Sequence, residues 1–375
     1  MAIMIFFRIG VLKQNLWKIN EIGGDRLNNI IKKTFEEINL QDPFFQSLRA
    51  DYPGFDDWFK RKSNQNAFVQ YIDEKLVGFL YLKIEKMHVE DVVPPIFADK
   101  ILKVGTFKID AHGTKMGEQF IKIIMDCALC EKVDACYVTI YEKHKSLIDL
   151  VQQFGFELYG TKGKGENKEN VYLKRMNIIT GDIKKDFPLV DYKSVKKYLL
   201  GIYPKYHSVM FPDSILTTEN KNIITDVSYT NSIQKVYVCS MKQVEMLKYG
   251  DIVIIYRTAE NGKSAEYSAV ATSVCVIEEV KNQNEFNSFE EFYRYISKYS
   301  VFDKNDLYHW FRQGGCKAIK MTYNAALKKR IVRHDLIEEI GLERNQYWGF
   351  FEMTNEQFKK IIHMGETNEI FIDKN

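Results

Sequence analysis

The sequence has no surplus of either charge. Its 375 residues carry 53 lysines and arginines against 50 aspartates and glutamates, a formal net charge of +3. Bulk charge therefore argues for no polyanionic partner, and such a partner would have to be met by a local patch. A cysteine framework is also missing. Six cysteines are scattered along the chain, and the one C-x-x-C pair, Cys127 and Cys130, has no second pair at metal-ligand spacing. Helix packing is the better reading of that pair than zinc, and no metal is expected. The thiols are expected to be reduced and the compartment cytoplasmic. The opening MAIMIFFRIGVL is apolar but too short to cross a bilayer, is interrupted by Arg8, and lacks the basic start and small-residue cleavage site of a signal peptide. It is expected to be an extra strand, or the result of a start codon placed too early, and no membrane partner is expected.

What is present is an ordinary soluble composition, 45% hydrophobic and 27% charged, on a chain long enough for two domains with real cores. Residues 25 to 39 suggest a short helix with Leu27, Ile30, Ile31 and Phe35 inward. From Asp42 a window dense in aromatics is followed by NAFVQYI, a turn at Asp73 and Glu74, and KLVGFLYLKIEK, which reads as a β-hairpin. The aromatics are read as core packing, with the alternative that Tyr52, Phe55 and Trp58 line an acceptor pocket. The chain is organised around 101–131. Alternation over Ile101 to Ile109 predicts a strand. Met116, Phe120, Ile123, Ile124, Cys127 and Ala128 then recur at helical spacing. Between them lies AHGTKMG, where glycines allow close approach and the amides opening the helix make an anion site. DACYVTIY predicts another strand, KHKSLIDLVQQFGF a helix stopped by Gly155, and ELYGTKGKGENKENVYLKRM a hairpin.

This segment resembles motif A of the GNAT acyltransferases, Q/R-x-x-G-x-G/A. His112 stands at the Gln/Arg position, Lys115 at the first glycine and Gly117 at the second, with Gly113 between. An amide does not depend on its side chain, so Lys115 can still donate, and a lysine beside a pyrophosphate is electrostatically welcome. The resemblance implies a central mixed sheet with flanking helices. It implies an acetyl-CoA cofactor held along Phe107, Lys108 and Ile109 and by His112, Gly113, Thr114, Lys115, Met116 and Gly117. Residues 144–156 look like the family's ending N-x-x-A-x-x-L-Y-x-x-x-G-F. There Gly155 and Phe156 match, His144 stands where an Asn contacts the cofactor, and Val151 replaces a Tyr that often protonates the leaving thiolate. Tyr141 is the nearest substitute acid. Transfer to an amine also needs a base, and Glu85 and Asp110 are the carboxylates best placed for it.

NIITGDIKKDFP, 177–188, has turn formers and no apolar period and is expected to be a linker. Beyond it, short strands broken by turns, with a capping box expected at Ser288 and Glu291 and another at Thr354 and Gln357, predict a small β-barrel with inserted helices. IYPKYHSVMFPDS, Ile202 to Ser214, and GDIVIIYRT, Gly250 to Thr258, resemble the PUA-like group that includes ASCH, EVE and YTH domains. That resemblance implies binding of RNA or a modified base. Tyr203, Tyr206, Tyr256, Trp310 or Trp348 could stack a base, and Arg257 could reach a phosphate or base edge. His207 is either part of that site or simply a satisfied hydrogen-bonding group, and most rings must in any case serve the barrel's own core.

The expected class is α/β (α+β): an N-terminal extension (1–40), a GNAT-like domain (41–176), a linker (177–188) and a PUA-like β-barrel (189–375). The expected function is acetyl transfer from acetyl-CoA to an amine acceptor of unassigned identity, RNA-linked as on a tRNA, or else on a protein or small molecule. The alternative is a non-catalytic protein that senses CoA and binds RNA.

Overall fold

The computed structural model describes residues 30–110, 115–214 and 232–371. The chain divides into two compact units, Met1–Tyr81 with Thr106–Gly113, and Leu82–Gly105 with Thr114–Asn375.

In the first unit the strands are β1 (Ile30–Thr34), β2 (Asn66–Ile72), the start of β3 (Lys75–Lys86) and the end of β4 (Lys100–Ile109). β1 pairs antiparallel with β2, Ile30 opposite Gln70 and Thr34 opposite Asn66. The helix expected over 25–39 is thus a strand and a 3₁₀ turn, Phe35–Glu37, within the described residues. Ile30, Ile31 and Thr34 are β-branched, and their alternation suits a sheet edge better than a helix face. Leu27 lies outside the described residues. The β2–β3 hairpin forms as expected, with Asp73 and Glu74 at φ 46° and 65°, the turn geometry that matches strand twist. Two short helices, α1 (Gln46–Asp51) and α2 (Phe55–Lys60), bury Phe55 and Phe59 with Phe35, Phe44, Phe45, Phe79 and Tyr81. Phe35 alone meets Trp58, Phe59, Phe79 and Tyr81 edge-on at 4.7–5.7 Å. Phe55 lies in that core, with Tyr52 and Trp58 packed against it, so these rings form a core rather than line an acceptor pocket.

In the second unit α3 (Met116–Glu131) connects β4 to β5 (Ala135–Ile140), and the two strands pair in parallel over Ile101–Val104. α4 (Lys145–Gln153) leads to the antiparallel pair β6 (Glu157–Lys162) and β7 (Glu169–Arg175). In this unit the strands run in the order β3-β4-β5-β7-β6. α3 buries Gln119, Ile121 and Met125 besides the expected Met116, Phe120, Ile124, Cys127 and Ala128, while Ile123 stays half-buried, so the buried arc is wider than a simple amphipathic stripe. The expected linker carries α5 (Ile183–Asp186), capped by the Asp182 side chain.

A second mixed sheet follows, formed by β8 (Lys197–Ile202), β9 (Gln234–Cys239), β10 (Ile252–Arg257), β11 (Val270–Asn282), β12 (Lys317–Val332) and β13 (Phe350–Met353) in the order β13-β8-β10-β11-β12-β9. β8 and β10 are buried at every position, because both faces of the sheet are covered. One face packs on α8 (Phe289–Ser297) and α9 (Lys304–Gln313), the other on α10 (Arg333–Glu338) and α11 (Asn355–Met364). α6 (Pro204–Met210) and α7 (Ala265–Ser268) are short connections. β11 bulges in three places along β12, the irregularities by which a long strand bends. The capping box at Thr354 and Gln357 is complete. At α8 only half of it forms: Ser288 accepts from the Glu291 amide, but the Glu291 carboxylate turns to Asn287 at 2.9 Å.

Candidate functional site

The segment expected to hold a cofactor begins on β4. Phe107 is buried. Lys108 is spent locally, its Nζ 4.2 Å from the Phe44 ring centroid and 3.1 Å from Asp110 Oδ1, and it also donates to the Phe44 carbonyl. Ile109 is half-buried. Asp110 is anchored by its amide, which donates to the Val77 carbonyl at 2.9 Å, and its carboxylate is largely solvated. His112, Gly113 and Thr114 lie outside the described residues. Lys115 precedes α3, Met116 opens it buried, and Gly117 has a packing role. A Cβ there would lie 2.8 Å from the Leu150 side chain of α4, so the missing side chain lets the two helices approach.

On neighbouring elements, the Tyr141 carbonyl accepts from the His144 amide at 3.0 Å, and His144 immediately precedes α4, where its carbonyl takes the first helical bonds. Tyr141 is half-buried, with the Lys143 ammonium 5.5 Å from its ring centroid. Glu85, toward the end of β3, accepts from Tyr137 Oη at 2.7 Å and from Lys83 Nζ at 3.0 Å, with Lys103 at 3.9 Å. Burial pushes the Glu85 carboxyl up, but the Tyr137 and Lys83 hydrogen bonds and the Lys103 and Lys83 charges outweigh it, leaving it below the ordinary range. Such a group is ionised but weakly basic, which is a poor match for a general base working near neutrality. Tyr137 is shifted the other way, up, by burial and by its bond to Glu85.

In the second sheet the residues expected to meet RNA separate into two groups. Tyr203 is 65% exposed, and Tyr206 is half-buried between Phe302 and Trp310, at centroid distances of 4.5 and 6.1 Å, with the Lys205 ammonium 4.4 Å from its ring. Both can be approached from solvent. Tyr256 is a core residue, packed 5.2 Å from Trp348, because β10 is covered on both faces. Arg257 is 3% exposed and is paired with Glu260 at 2.8 Å. His207 is fully buried, its Nε2 2.8 Å from Thr272 Oγ1, and burial aided by the Arg257 and Arg330 charges lowers its pKa to about 3. Neutral and enclosed, it belongs to an interior polar chain in which Thr272, Ser273, Ser214 and Tyr323 follow at 3.2, 2.8 and 3.3 Å.

Several ionisable groups were missed by sequence reasoning. Lys122 of α3 lies between Asp126 at 2.6 Å and Asp213 at 2.9 Å, and although burial disfavours its charge, the two carboxylates hold its pKa well above the lysine range. Lys235 on β9 is 1% exposed, and burial lowers it to about 7. Glu118 is pushed up by burial, and Lys115 is drawn against Tyr299. Tyr347, 62% exposed, is a further open ring, three residues before β13, that no motif marked. No periodicity could have singled these out, since each depends on which elements meet.

No family model and no curated protein matches the sequence. Parts of the fold are similar to two kinds of solved structure. The ASCH protein of Zymomonas mobilis aligns over 45% of this chain and 95% of its own, at 10% identity and TM-score 0.31. A GNAT-family acetyltransferase of Streptococcus agalactiae aligns over 35% of this chain and 78% of its own, at 16% identity and TM-score 0.27. A GNAT-family acetyltransferase of Elizabethkingia anophelis with acetyl-CoA bound aligns over 40% of this chain and 99% of its own, at 9% identity and TM-score 0.28. Among the described residues, no helix is long and apolar enough to cross a membrane.

Proposed function

We propose that the protein is an acetyl-CoA-dependent N-acyltransferase whose second sheet carries an RNA-binding surface. The observation that supports this best is the order strand, 16-residue helix and parallel strand formed by β4, α3 and β5, with the motif-like stretch 112–117 falling in the sequence between β4 and the first turn of α3. Amides at a helix start favour an anionic group, and a diphosphate is the anion that the resemblance implies. Tyr203, Tyr206 and Tyr347 supply open or half-open rings for base stacking, and Lys205 supplies charge beside them. Tyr256 and His207, being interior, support that surface rather than form it.

The low basicity of Glu85 favours an acceptor that arrives as the neutral amine. An α-amino group, as on an aminoacyl-tRNA, loses its proton nearer neutrality than a lysine side chain does. The test is calorimetry with acetyl-CoA on the full chain, followed by thioester consumption with total RNA, free amino acids and polyamines offered separately. Binding with turnover on one acceptor class is the expected result. Binding without turnover on any of them would favour a CoA-sensing protein, and absence of binding would overturn the proposal.

A further inference from the structure

Lys115 immediately precedes α3, and its Nζ lies 3.4 Å from the ring centroid of Tyr299, two residues beyond the end of α8. The ammonium is buried there. Burial lowers its pKa to about 7, an effect that Glu118 one turn further along opposes and Lys298 reinforces. Among the described residues, the other charged groups facing this corner are Lys235 on β9, which Lys115 disfavours as a cation, Glu278 on β11, which acts on both Glu118 and Tyr299, Lys184 on α5, which lowers Glu118, and Lys320 on β12, whose ammonium lies 6.0 Å from the Tyr299 ring centroid. A cation over an aromatic face is held by the ring quadrupole, more strongly where water is excluded. A diphosphate at the amides that open α3 would offer this ammonium a second, anionic partner beside the ring.

We propose that Tyr299 competes with the cofactor for Lys115: the ring holds the ammonium in the unliganded protein, and the diphosphate of acetyl-CoA draws it off. This rests on the acyl-CoA reading above. Tyr299 therefore acts as a positioning residue, supplied by the segment after α8 to the start of α3, and it sets cofactor affinity without touching the cofactor. Because Lys115 titrates near neutrality on the ring and is a firm cation beside phosphates, cofactor binding takes up a proton at this position.

The test is calorimetry with acetyl-CoA on the full-length wild type, Tyr299→Phe, Tyr299→Leu and Lys115→Met, at pH 6 for affinity, where Lys115 is mainly the ammonium, and at pH 7.5 in two buffers of different ionisation enthalpy for proton uptake. Tyr299→Leu should tighten binding by roughly three- to ten-fold, the scale of one cation–π contact. Tyr299→Phe keeps the ring and should match wild type. Lys115→Met should weaken binding and abolish most of the proton uptake. In the Lys115→Met background, Tyr299→Leu should have no further effect. Unchanged or weaker binding in a folded Tyr299→Leu overturns the inference, as does wild-type proton uptake in Lys115→Met, which decides the matter should Tyr299→Leu fail to fold. Absence of acetyl-CoA binding by every protein overturns the acyl-CoA reading and this inference with it, whereas binding indifferent to Tyr299 overturns the inference alone.

Discussion

Replacing Gly155 by alanine tests how tightly the chain is joined where α4 ends. Gly155 has φ +82°, a left-handed backbone that costs an L-residue about 1–2 kcal/mol. A Cβ there would overlap the Lys185 carbonyl oxygen and lie 2.8 Å from Lys174 Nζ. Neither neighbour yields easily: the carbonyl is backbone, and Lys174 is a buried lysine whose ammonium donates to that same oxygen. Disturbing a buried charged hydrogen bond adds about 1–3 kcal/mol. The expected loss is therefore roughly 2–5 kcal/mol, or a drop in Tm of roughly 4–20 °C at about 2–4 °C per kcal/mol. Gly262→Ala is the matched control, with φ +81° and no atom within 4 Å of the added carbon, so only the backbone cost applies. Urea titration and thermal melts followed by circular dichroism compare the two. If Gly155→Ala is no less stable than Gly262→Ala, the packing argument is refuted.

His207 titrates near 3 in the folded protein and near 6.5 in the unfolded chain, so the unfolded state binds more protons between about pH 3 and 6.5. Stability should rise with pH across that window and be lost as pH falls, and His207→Gln should flatten the slope; an unchanged slope in urea titrations at pH 4.5 and 7 would refute it. If either carboxylate is the base for acetyl transfer, Glu85→Gln or Asp110→Asn should cost on the order of a hundred-fold in rate while acetyl-CoA binding stays intact. Retained activity in both variants, measured by thioester consumption, would point to an amine that arrives deprotonated. Tyr203→Ala and Tyr347→Ala should each weaken binding of single-stranded oligonucleotides to the full chain by about 1–3 kcal/mol if they stack bases. Wild-type affinity in both, read by fluorescence anisotropy at two salt concentrations, would remove that role.

Much of the architecture was legible in the residues. The β2–β3 hairpin, β4, α3, β5, α4 and the β6–β7 pair follow from alternation, helical spacing and glycine stops, all of them local signals. The residues of β1 predict a helix because isoleucines at 30 and 31 and Phe35 fit both periods, and only pairing with β2 decides between them. The second sheet was harder to read, since strands covered on both faces lose their alternation: in IVIIYR nothing distinguishes Tyr256 and Arg257 as interior rather than presented. The candidate site was legible as a loop opening a helix. Its electrostatics were not, because Lys115 beside Tyr299 and Lys122 beside Asp213 are set by chain segments more than 90 residues apart meeting in space.

The stretch 177–188 reads as a flexible tether and is built as a weld. The Asp186 carboxylate accepts from the Thr180 amide and hydroxyl, both at 2.7 Å, and from the Gly181 amide at 2.8 Å. Ile183 is buried in the second sheet's core, and Phe187 packs 6.1 Å from Phe154, at the end of α4. A coil of a dozen residues would let what it joins diffuse over a range that grows as the square root of its length. Here that search ends when the chain folds. An acceptor carried on the second sheet would come with one fixed presentation, not an effective concentration, so lengthening this stretch with glycine and serine would loosen docking without extending any useful reach.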